Sequence, residues 1–262
     1  MKKLGSLWGD FKVLYHLLLA PSRGDGHQER LDNFYRHQLP YYDSFRSRLL
    51  HGRDRLFDNL RFPEGGVWVD MGAGTGMNLE WWGDRLSLLK KIYLVDASPA
   101  MLGAAQKRVA QRGWKNVEIV QADATGYQLP EKADLVTFSY SLTMIPDWFA
   151  AIDNAHSMLR PGGQIGAADF YVGRKFPEKP MASHSSFTRW FWWFNLFRDN
   201  VFVSPDHIPY LQRRFDSAFI FEGFGKVPYL PIVRVPYYVM IGNKGAGCSQ
   251  PPGMGGLDGT AR

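Results

Sequence analysis

The sequence predicts an α/β fold in which a mostly parallel, seven-stranded sheet is flanked by helices and ends in an antiparallel hairpin. Three observations support this prediction. From residue 66 onward, short apolar segments alternate with helical segments, which is the pattern that produces a parallel sheet. A glycine-rich loop follows the first apolar segment. Two more strand signals close the series, after an insertion rich in aromatic residues.

The elements follow one another in a regular order. Short apolar runs predict five strands, at 67–71, 91–96, 117–121, 133–140 and 164–170. Helices are predicted between them, at 77–89, 99–112 and 148–159. Pro99 suits a first helical turn, and Gly113 suits the residue that stops a helix. The alternation breaks at 171–210, and the last two strands are expected at 217–222 and 233–242.

Length and composition limit the domain organisation. A chain of 262 residues, 45% of them apolar, suits one α/β domain with additions. We expect a helical extension or lid at 1–60, a single domain at 61–243 that contains the insertion, and a tail at 244–262. The tail contains six glycines and two prolines, which predicts disorder. Within the extension, helices are predicted at 4–18, 27–38 and 41–60.

Cysteine content restricts the chemistry. The only cysteine is Cys248. A disulfide framework and a cysteine-based metal site are therefore excluded, so we expect no metal centre and a reducing, cytoplasmic location.

The loop at 70–76 reads Asp-Met-Gly-Ala-Gly-Thr-Gly, with glycines at Gly72, Gly74 and Gly76. A glycine-rich loop between a strand and a helix lets a ligand approach the backbone and directs helix N–H groups toward it. The dinucleotide fingerprint G-x-G-x-x-G requires a third glycine where Met77 stands. The spacing therefore disfavours a nicotinamide-dependent oxidoreductase.

Three acids stand at successive strand ends: Asp70, Asp96 and Asp123. An acid about 20 residues beyond such a loop accepts hydrogen bonds from ribose hydroxyls, which is the position of Asp96. The whole pattern resembles motif I of the Rossmann-like class I methyltransferases. That resemblance implies S-adenosylmethionine as the cofactor, with its amino-acid part in the loop that Asp70 organises. It further implies that Asp123 lies beside the adenine amino group, with Ala124 and Ser139 completing the cofactor site.

Segments on both sides of the loop resemble the methyltransferase part of betaine lipid synthases. They include His-Gln-Glu-Arg-Leu-Asp-Asn-Phe-Tyr at 27–35 and, most specifically, Ser-Tyr-Ser-Leu-Thr-Met-Ile-Pro-Asp at 139–147. The resemblance covers roughly residues 27–215. It implies three successive N-methylations of diacylglyceryl-homoserine, which give the betaine lipid diacylglyceryl-trimethylhomoserine. The chain has no room for the aminocarboxypropyl transferase activity of such synthases, which a partner protein would supply.

Candidate residues for the reaction follow the fourth and fifth strands. Methyl transfer to a neutral amine needs mainly alignment, and aromatic faces stabilise growing cationic character. We expect Tyr140, Asp169 and Tyr171 to face the amine, although Asp169 and Tyr171 equally suit packing or capping of a strand end. The family resemblance places Tyr42 and Arg46 in a lid over the cofactor. Arg46 suits a carboxylate of the cofactor or of the headgroup, or an ion pair within its own helix.

Partners are suggested by charge and by apolar segments. A net charge of +6 suits an anionic membrane surface. The predicted helix at 4–18 and the aromatic run at 190–197 suit either a bilayer interface, which would make the protein peripheral to the membrane, or the core. Nucleic acid is not expected, because an Asn/Asp-Pro-Pro-Tyr/Phe-like stretch is absent after the fourth strand. Two alternatives stay open: a quinone or another small apolar acceptor, and a non-catalytic cofactor-binding module.

Overall fold

The computed structural model describes residues 46–197 and 201–245. Seven strands form one sheet in the order β3-β2-β1-β4-β5-β7-β6. They are β1 (Val67–Met71), β2 (Lys91–Asp96), β3 (Val117–Gln121), β4 (Ala133–Ser139), β5 (Leu159–Phe170), β6 (Asp216–Val227) and β7 (Leu230–Asn243). Pairing is parallel from β3 to β5, whereas β7 is antiparallel to both β5 and β6. The predicted Rossmann-like sheet with an antiparallel final hairpin is therefore confirmed.

Helices cover both faces of the sheet. They include α1 (Arg53–Asn59), α2 (Pro99–Arg112), α3 (Trp148–Met158), α4 (Ser186–Phe197) and α5 (His207–Arg214). Alternate residues of a strand point to opposite faces, so one strand serves two cores. Trp68 of β1 packs in the same cluster as Leu56 of α1, while Val69 packs in the same cluster as Ile152 of α3. This two-sided burial explains why the parallel strands are apolar without alternation.

Several predicted boundaries are confirmed. The strands β1, β2 and β3 and the helix α2 have the bounds that the sequence predicted. Pro99 lies in the first turn of α2, and Gly113 follows its end in the left-handed conformation with φ 68°. The strands β5, β6 and β7 extend beyond their predicted bounds. β4 stops at Ser139, one residue early, because Tyr140 has a positive φ of 59°.

Two predicted helices are wrong in detail, and each is interrupted by a glycine. The helix expected at 41–60 is broken at Gly52, whose φ is 81° and whose added Cβ would lie 2.6 Å from a ring carbon of Tyr237. The helix expected at 77–89 is instead two short 3-10 helices, Met77–Trp81 and Gly83–Leu88. Gly83, the first residue of the second one, has a φ of 50°, and a continuous α-helix cannot contain this conformation.

Part of the predicted extension and tail lies outside the described residues. This applies to the helices at 4–18 and 27–38, to Tyr42, and to Cys248. Within the insertion, α4 exposes most of its aromatic side chains, so core packing explains only part of the run at 190–197. No helix formed by the described residues is long and apolar enough to cross a bilayer.

Candidate functional site

A cavity of about 420 Å³ opens at the carboxyl ends of β1, β2, β3 and β4. Its volume falls within the range of roughly 300–1,000 Å³ that is usual for small-molecule sites. The chain crosses from β3 on one side of β1 to β4 on the other, and ligands of open α/β sheets bind at such a reversal. The lining residues come from the glycine loop (70–76), from 95–98 and 122–124, and from the segment at 139–146, which we call the acceptor loop.

The three glycines of the glycine loop have positive φ angles but different surroundings. A Cβ on Gly72 would lie 2.3 Å from Cβ of Ser141, so this position allows the two loops to touch. Nothing lies within 4 Å of a Cβ built on Gly74, which borders the cavity. Gly76 points away from the cavity, since its Cβ would lie 3.1 Å from Leu94 Cδ1. Gly72 and Gly74 therefore line the cavity, whereas Gly76 allows close packing behind it.

Asp70, the first residue of the glycine loop, has a structural role. It is fully buried and does not line the cavity. Its carboxylate accepts hydrogen bonds from Asn78 Nδ2 at 2.9 Å and from Thr137 Oγ1 at 2.7 Å. Burial raises the pKa of the Asp70 carboxyl to about 6. Asp70 is thus positioned to fix the loop rather than to touch a ligand.

Asp96 and Asp123 both lie on the cavity wall. Asp96 accepts a hydrogen bond from the Gly74 backbone N–H at 2.8 Å, which ties the glycine loop to the end of β2. Asp123 accepts from the backbone N–H of Thr125 at 2.8 Å. Ala124 also lines the cavity. The structure therefore brings these sequence-predicted residues together at one rim of the sheet.

Tyr140 lines the cavity, but its hydroxyl is engaged elsewhere. The O–H donates a hydrogen bond to the His51 carbonyl oxygen at 2.6 Å, and burial raises its pKa well above the ordinary range. The ring packs edge-on against Phe170, with centroids 4.7 Å apart. The aromatic face of Tyr140, rather than its hydroxyl, is thus the feature available to a ligand.

Asp169 and Tyr171 do not lie on the cavity wall that the described residues form. Both side chains are buried, Asp169 near the end of β5 and Tyr171 directly after it. Asp169 accepts hydrogen bonds from Thr143 N at 3.1 Å and Thr143 Oγ1 at 2.7 Å, and burial raises its pKa to about 6. The Tyr171 hydroxyl donates to Glu222 Oε1 at 2.6 Å. Asp169 therefore holds the acceptor loop in place, and Tyr171 anchors the start of the insertion to β6.

Two arginines border the cavity. Arg46 was expected there, and Asp43, an acid three residues earlier that could pair with it within one helix, lies outside the described residues. Arg53 was not singled out. Its Nε donates to Ser139 Oγ at 3.0 Å, and its guanidinium carbon lies 5.9 Å from the centroid of the Tyr140 ring. Gly52, directly before Arg53, interrupts the predicted helix, and this glycine is the feature of the sequence that could have indicated the site.

Other lining residues could not be found from strand ends alone. Most are apolar or small and belong to the two loops or directly follow the glycine loop: Ala73, Thr75, Met77, Ser141, Met144, Ile145 and Pro146. Ser141 Oγ donates to the Met71 carbonyl oxygen at 2.7 Å, so it joins the acceptor loop to the glycine loop. The described residues contain no group of three or more His, Cys, Asp or Glu arranged to hold a metal ion.

Residues 69–163 match the family model described as a methyltransferase domain. The chain is 25% identical over 142 residues to demethylmenaquinone methyltransferase from Geobacillus stearothermophilus, an alignment that covers 52% of this chain and 61% of that protein. It is 30% identical over 112 residues to aklanonic acid methyltransferase DauC from Streptomyces sp. (strain C5), covering 42% and 51%. The matched region thus spans between half and two thirds of these relatives.

Solved structures share the fold. Phosphoethanolamine N-methyltransferase 2 from Haemonchus contortus, in complex with phosphomonomethylethanolamine and S-adenosylhomocysteine, superimposes with a TM-score of 0.64 at 14% identity, covering 85% of this chain and 61% of that one. At this identity the likeness concerns the fold alone. The family match spans the glycine loop and the strands β2, β3 and β4, so this part of the chain is similar to methyltransferase domains.

Proposed function

We propose that the protein transfers methyl groups from S-adenosylmethionine to the amine of an aminolipid that carries a carboxylate, such as diacylglyceryl-homoserine. The observation that carries this proposal is the division of the cavity. Carboxylates and glycines line the end formed by the ends of β1, β2 and β3. Apolar side chains and two arginines line the end formed by the acceptor loop and residues 46–53.

The first end of the cavity fits the cofactor. Gly72 and Gly74 present backbone without side chains, so a ligand can approach closely. We assign Asp96 and Asp123, which line this end, as acceptors for ribose hydroxyls and for an adenine amino group. Bound there, the cofactor supplies an electrophilic methyl group on a sulfonium. The residues at this end bind and orient it.

The second end suits an amine that becomes cationic. The neutral acceptor nitrogen would form the new C–N bond with its lone pair as the C–S bond broke with its electrons on sulfur. The first and second products would each lose one proton to solvent on leaving the site, whereas the third methyl group would give a quaternary nitrogen with no proton to lose. Tyr140, Met144 and Ile145 exclude water, and the Tyr140 face attracts the growing positive charge. Alignment of this kind can account for roughly 7 to 11 kcal/mol of barrier. No buried base is required, which agrees with the position of Asp169 beneath the loop.

The arginines favour an acceptor with a carboxylate. The guanidinium groups of Arg46 and Arg53 suit bidentate contact with a carboxylate, either of the cofactor or of the homoserine headgroup. An acceptor of that kind must be supplied by a reaction that adds an aminocarboxypropyl group to a diacylglycerol. A separate partner enzyme would perform that step.

A quinone-type acceptor is the second candidate. It is favoured by the names of two relatives, a demethylmenaquinone methyltransferase and a ubiquinone/menaquinone C-methyltransferase from Hahella chejuensis that is 26% identical over 136 residues. Carbon methylation must remove a ring or phenolic proton. Among the described lining residues the carboxylates are Asp96 and Asp123, which lie at the cofactor end. The amine acceptor therefore fits the acceptor end better.

The proposal is tested with the purified chain, labelled S-adenosylmethionine, and either diacylglyceryl-homoserine or a demethylated quinone in detergent micelles. We expect one, two and then three methyl groups on the lipid amine, measured by mass spectrometry. Product from the quinone alone would select the second candidate. Binding of S-adenosylhomocysteine without any product would indicate a non-catalytic module.

A matched variant sharpens the acceptor assignment. Arg53→Gln should raise KM for the homoserine lipid but leave KM unchanged for the same lipid with its carboxylate converted to an amide. The dissociation constant of S-adenosylhomocysteine serves as the control. If Arg53→Gln instead raises this dissociation constant and leaves both KM values as they are in the unchanged chain, Arg53 binds the cofactor carboxylate and not the acceptor.

A further inference from the structure

The helix α4 carries a row of exposed aromatic side chains. Five of them are 46–68% exposed, which is unusual for residues of this size: Phe187, Trp190, Trp193, Phe194 and Phe197. They recur at helical spacing and stack on one another, as Trp190 does on Phe194 and Trp193 on Phe197, with ring centroids 6.0 Å and 5.3 Å apart. A contiguous exposed apolar surface of this kind marks an interaction site.

The opposite side of α4 is fixed to the body of the protein. Leu196 is buried in the core, and Trp192 packs against it. The Trp192 indole N–H donates a hydrogen bond to the Arg234 carbonyl oxygen of β7 at 3.0 Å. The exposed rings therefore sit on a helix held against the β6–β7 hairpin. The end of that hairpin adds the exposed side chains of Tyr229 and Ile232.

The charged residues within α4 and the hairpin stretch 223–243 are all positive. Neither α4 nor the stretch 223–243 contains an acidic residue. Exposed cations stand on the hairpin at Lys226 and Arg234, which pair across the two strands. Arg48 is also exposed and donates a hydrogen bond to the Tyr229 hydroxyl at 2.9 Å. Trp and Phe rings flanked by Lys and Arg, without acids, complement an anionic lipid surface.

Two connections link this surface to the rim of the cavity. Beyond the end of α4, the Phe202 backbone N–H donates to the Thr143 carbonyl oxygen at 2.7 Å, and the neighbouring Met144 lines the cavity. On the other side, Arg48 belongs to the same helical turn as the cavity residue Arg46. A bilayer in contact with the surface would thus lie next to the acceptor end of the cavity.

We propose that the exposed rings of α4 and the end of the β6–β7 hairpin form a docking surface for an anionic lipid bilayer. Docking inserts the aromatic side chains among the headgroups, and Lys226, Arg234 and Arg48 contact the anionic groups. A role of this surface in presenting a lipid amine to the acceptor loop rests on the proposed function, whereas the binding of a bilayer to the surface does not.

The test measures sedimentation of the full chain with vesicles, with no acceptor present. We expect binding to phosphatidylcholine vesicles that contain phosphatidylglycerol and much weaker binding to phosphatidylcholine alone. The variant Trp190→Ser/Trp193→Ser/Phe194→Ser should reduce the partition coefficient by about tenfold or more. The control Leu88→Ser alters an exposed apolar residue that precedes β2, at the opposite end of the sheet, and should leave binding unchanged.

A second pair of variants separates charge from apolar contact. Lys226→Gln/Arg234→Gln should weaken binding to the anionic vesicles roughly tenfold. Lys107→Gln/Lys115→Gln, which removes two exposed charges on or just beyond α2, should not. Unchanged S-adenosylhomocysteine affinity in every variant shows that each one folds.

Three results would overturn the proposal. The first is equal binding by the unchanged chain and the triple variant. The second is equal loss in the Leu88 control. The third is a dimer, seen by sedimentation equilibrium, that the triple variant dissociates, because the surface would then bind a second copy. Vesicle binding without methylated product would count against the proposed function alone.

Discussion

The glycine loop and the acceptor loop border the same cavity, and each rests on a buried aspartate, but the two carboxylates hold different kinds of donor. Asp70 accepts from the side chains of Asn78 and Thr137. Asp169 accepts from the backbone N–H of Thr143 and of Phe170, as well as from the Thr143 hydroxyl. Asp70 therefore holds the glycine loop indirectly, through Asn78 just after the loop and Thr137 of β4, whereas Asp169 holds the acceptor loop directly, through Thr143 within it.

The largest effect is expected where the two loops meet. Gly72→Ala places a Cβ 2.3 Å from Cβ of Ser141, at a residue whose φ is 69°. The steric clash therefore adds to the strain of a left-handed backbone conformation. We expect a loss of about 4 kcal/mol in the free energy of unfolding, measured by urea denaturation. Gly74→Ala has the same kind of φ but open space around it, and should cost only about 1 kcal/mol while lowering cofactor affinity. Equal losses would show that the contact with Ser141 does not matter.

The next effect separates the two aspartates. Asp169→Ala leaves three buried donors without their acceptor, so we expect a loss of about 3 kcal/mol. Displacement of the acceptor loop should lower kcat roughly 100-fold with little change in cofactor affinity. Asp70→Ala should instead raise the dissociation constant of S-adenosylhomocysteine, measured by calorimetry. If both variants lowered kcat alone, or both weakened S-adenosylhomocysteine binding alone, the proposed division between the loops would be wrong.

Stability should also respond to pH through these carboxyls. Burial raises both folded-state pKa values from 3.8 to about 6, so between those pH values the folded chain binds more protons than the unfolded chain. Their contribution therefore makes the free energy of unfolding fall as the pH rises through this window, by at most about 3 kcal/mol per carboxyl. Asp169→Asn should flatten this part of the curve in urea titrations from pH 4 to 7. A slope unchanged by the substitution would contradict the assignment.

The smallest effect is expected at the helix that follows the acceptor loop. Asp147 caps α3, since its side chain accepts a hydrogen bond from Ala150 N at 3.1 Å. Asp147→Ala should lower the free energy of unfolding by about 1 kcal/mol, because one N–H at the helix start loses its acceptor. Turnover should stay unchanged at temperatures well below unfolding. A large fall in kcat would mean that the cap also shapes the acceptor loop.

The sequence was most informative where local pattern and burial agree. Apolar runs bounded by turn residues gave the bounds of β1, β2 and β3, and the acids Asp96 and Asp123 at their ends lie at one rim as predicted. A parallel sheet places the carboxyl ends of neighbouring strands together, so this part of the site follows from topology.

The remainder of the site depends on which face a residue takes and on contacts distant in sequence. Asp169 and Tyr171 stand at the end of β5 as expected, yet both are buried and bond to Thr143 and Glu222 instead of lining the cavity. Arg53 reaches the cavity only because Gly52 interrupts a predicted helix and Ser139 accepts its Nε–H. Neither the strand face nor that pairing can be deduced from a local pattern.

The position of β7 has a consequence for how the chain folds during synthesis. Although β7 is the last strand among the described residues, it lies between β5 and β6. As the nascent chain leaves the ribosome, β1 to β5 can pair among themselves, but the outer edge of β5 has no neighbour until residue 243 has emerged. An unpaired edge is a template for association with other chains. The short turn between β6 and β7 allows these two strands to form a local hairpin first, which then closes that edge in one step.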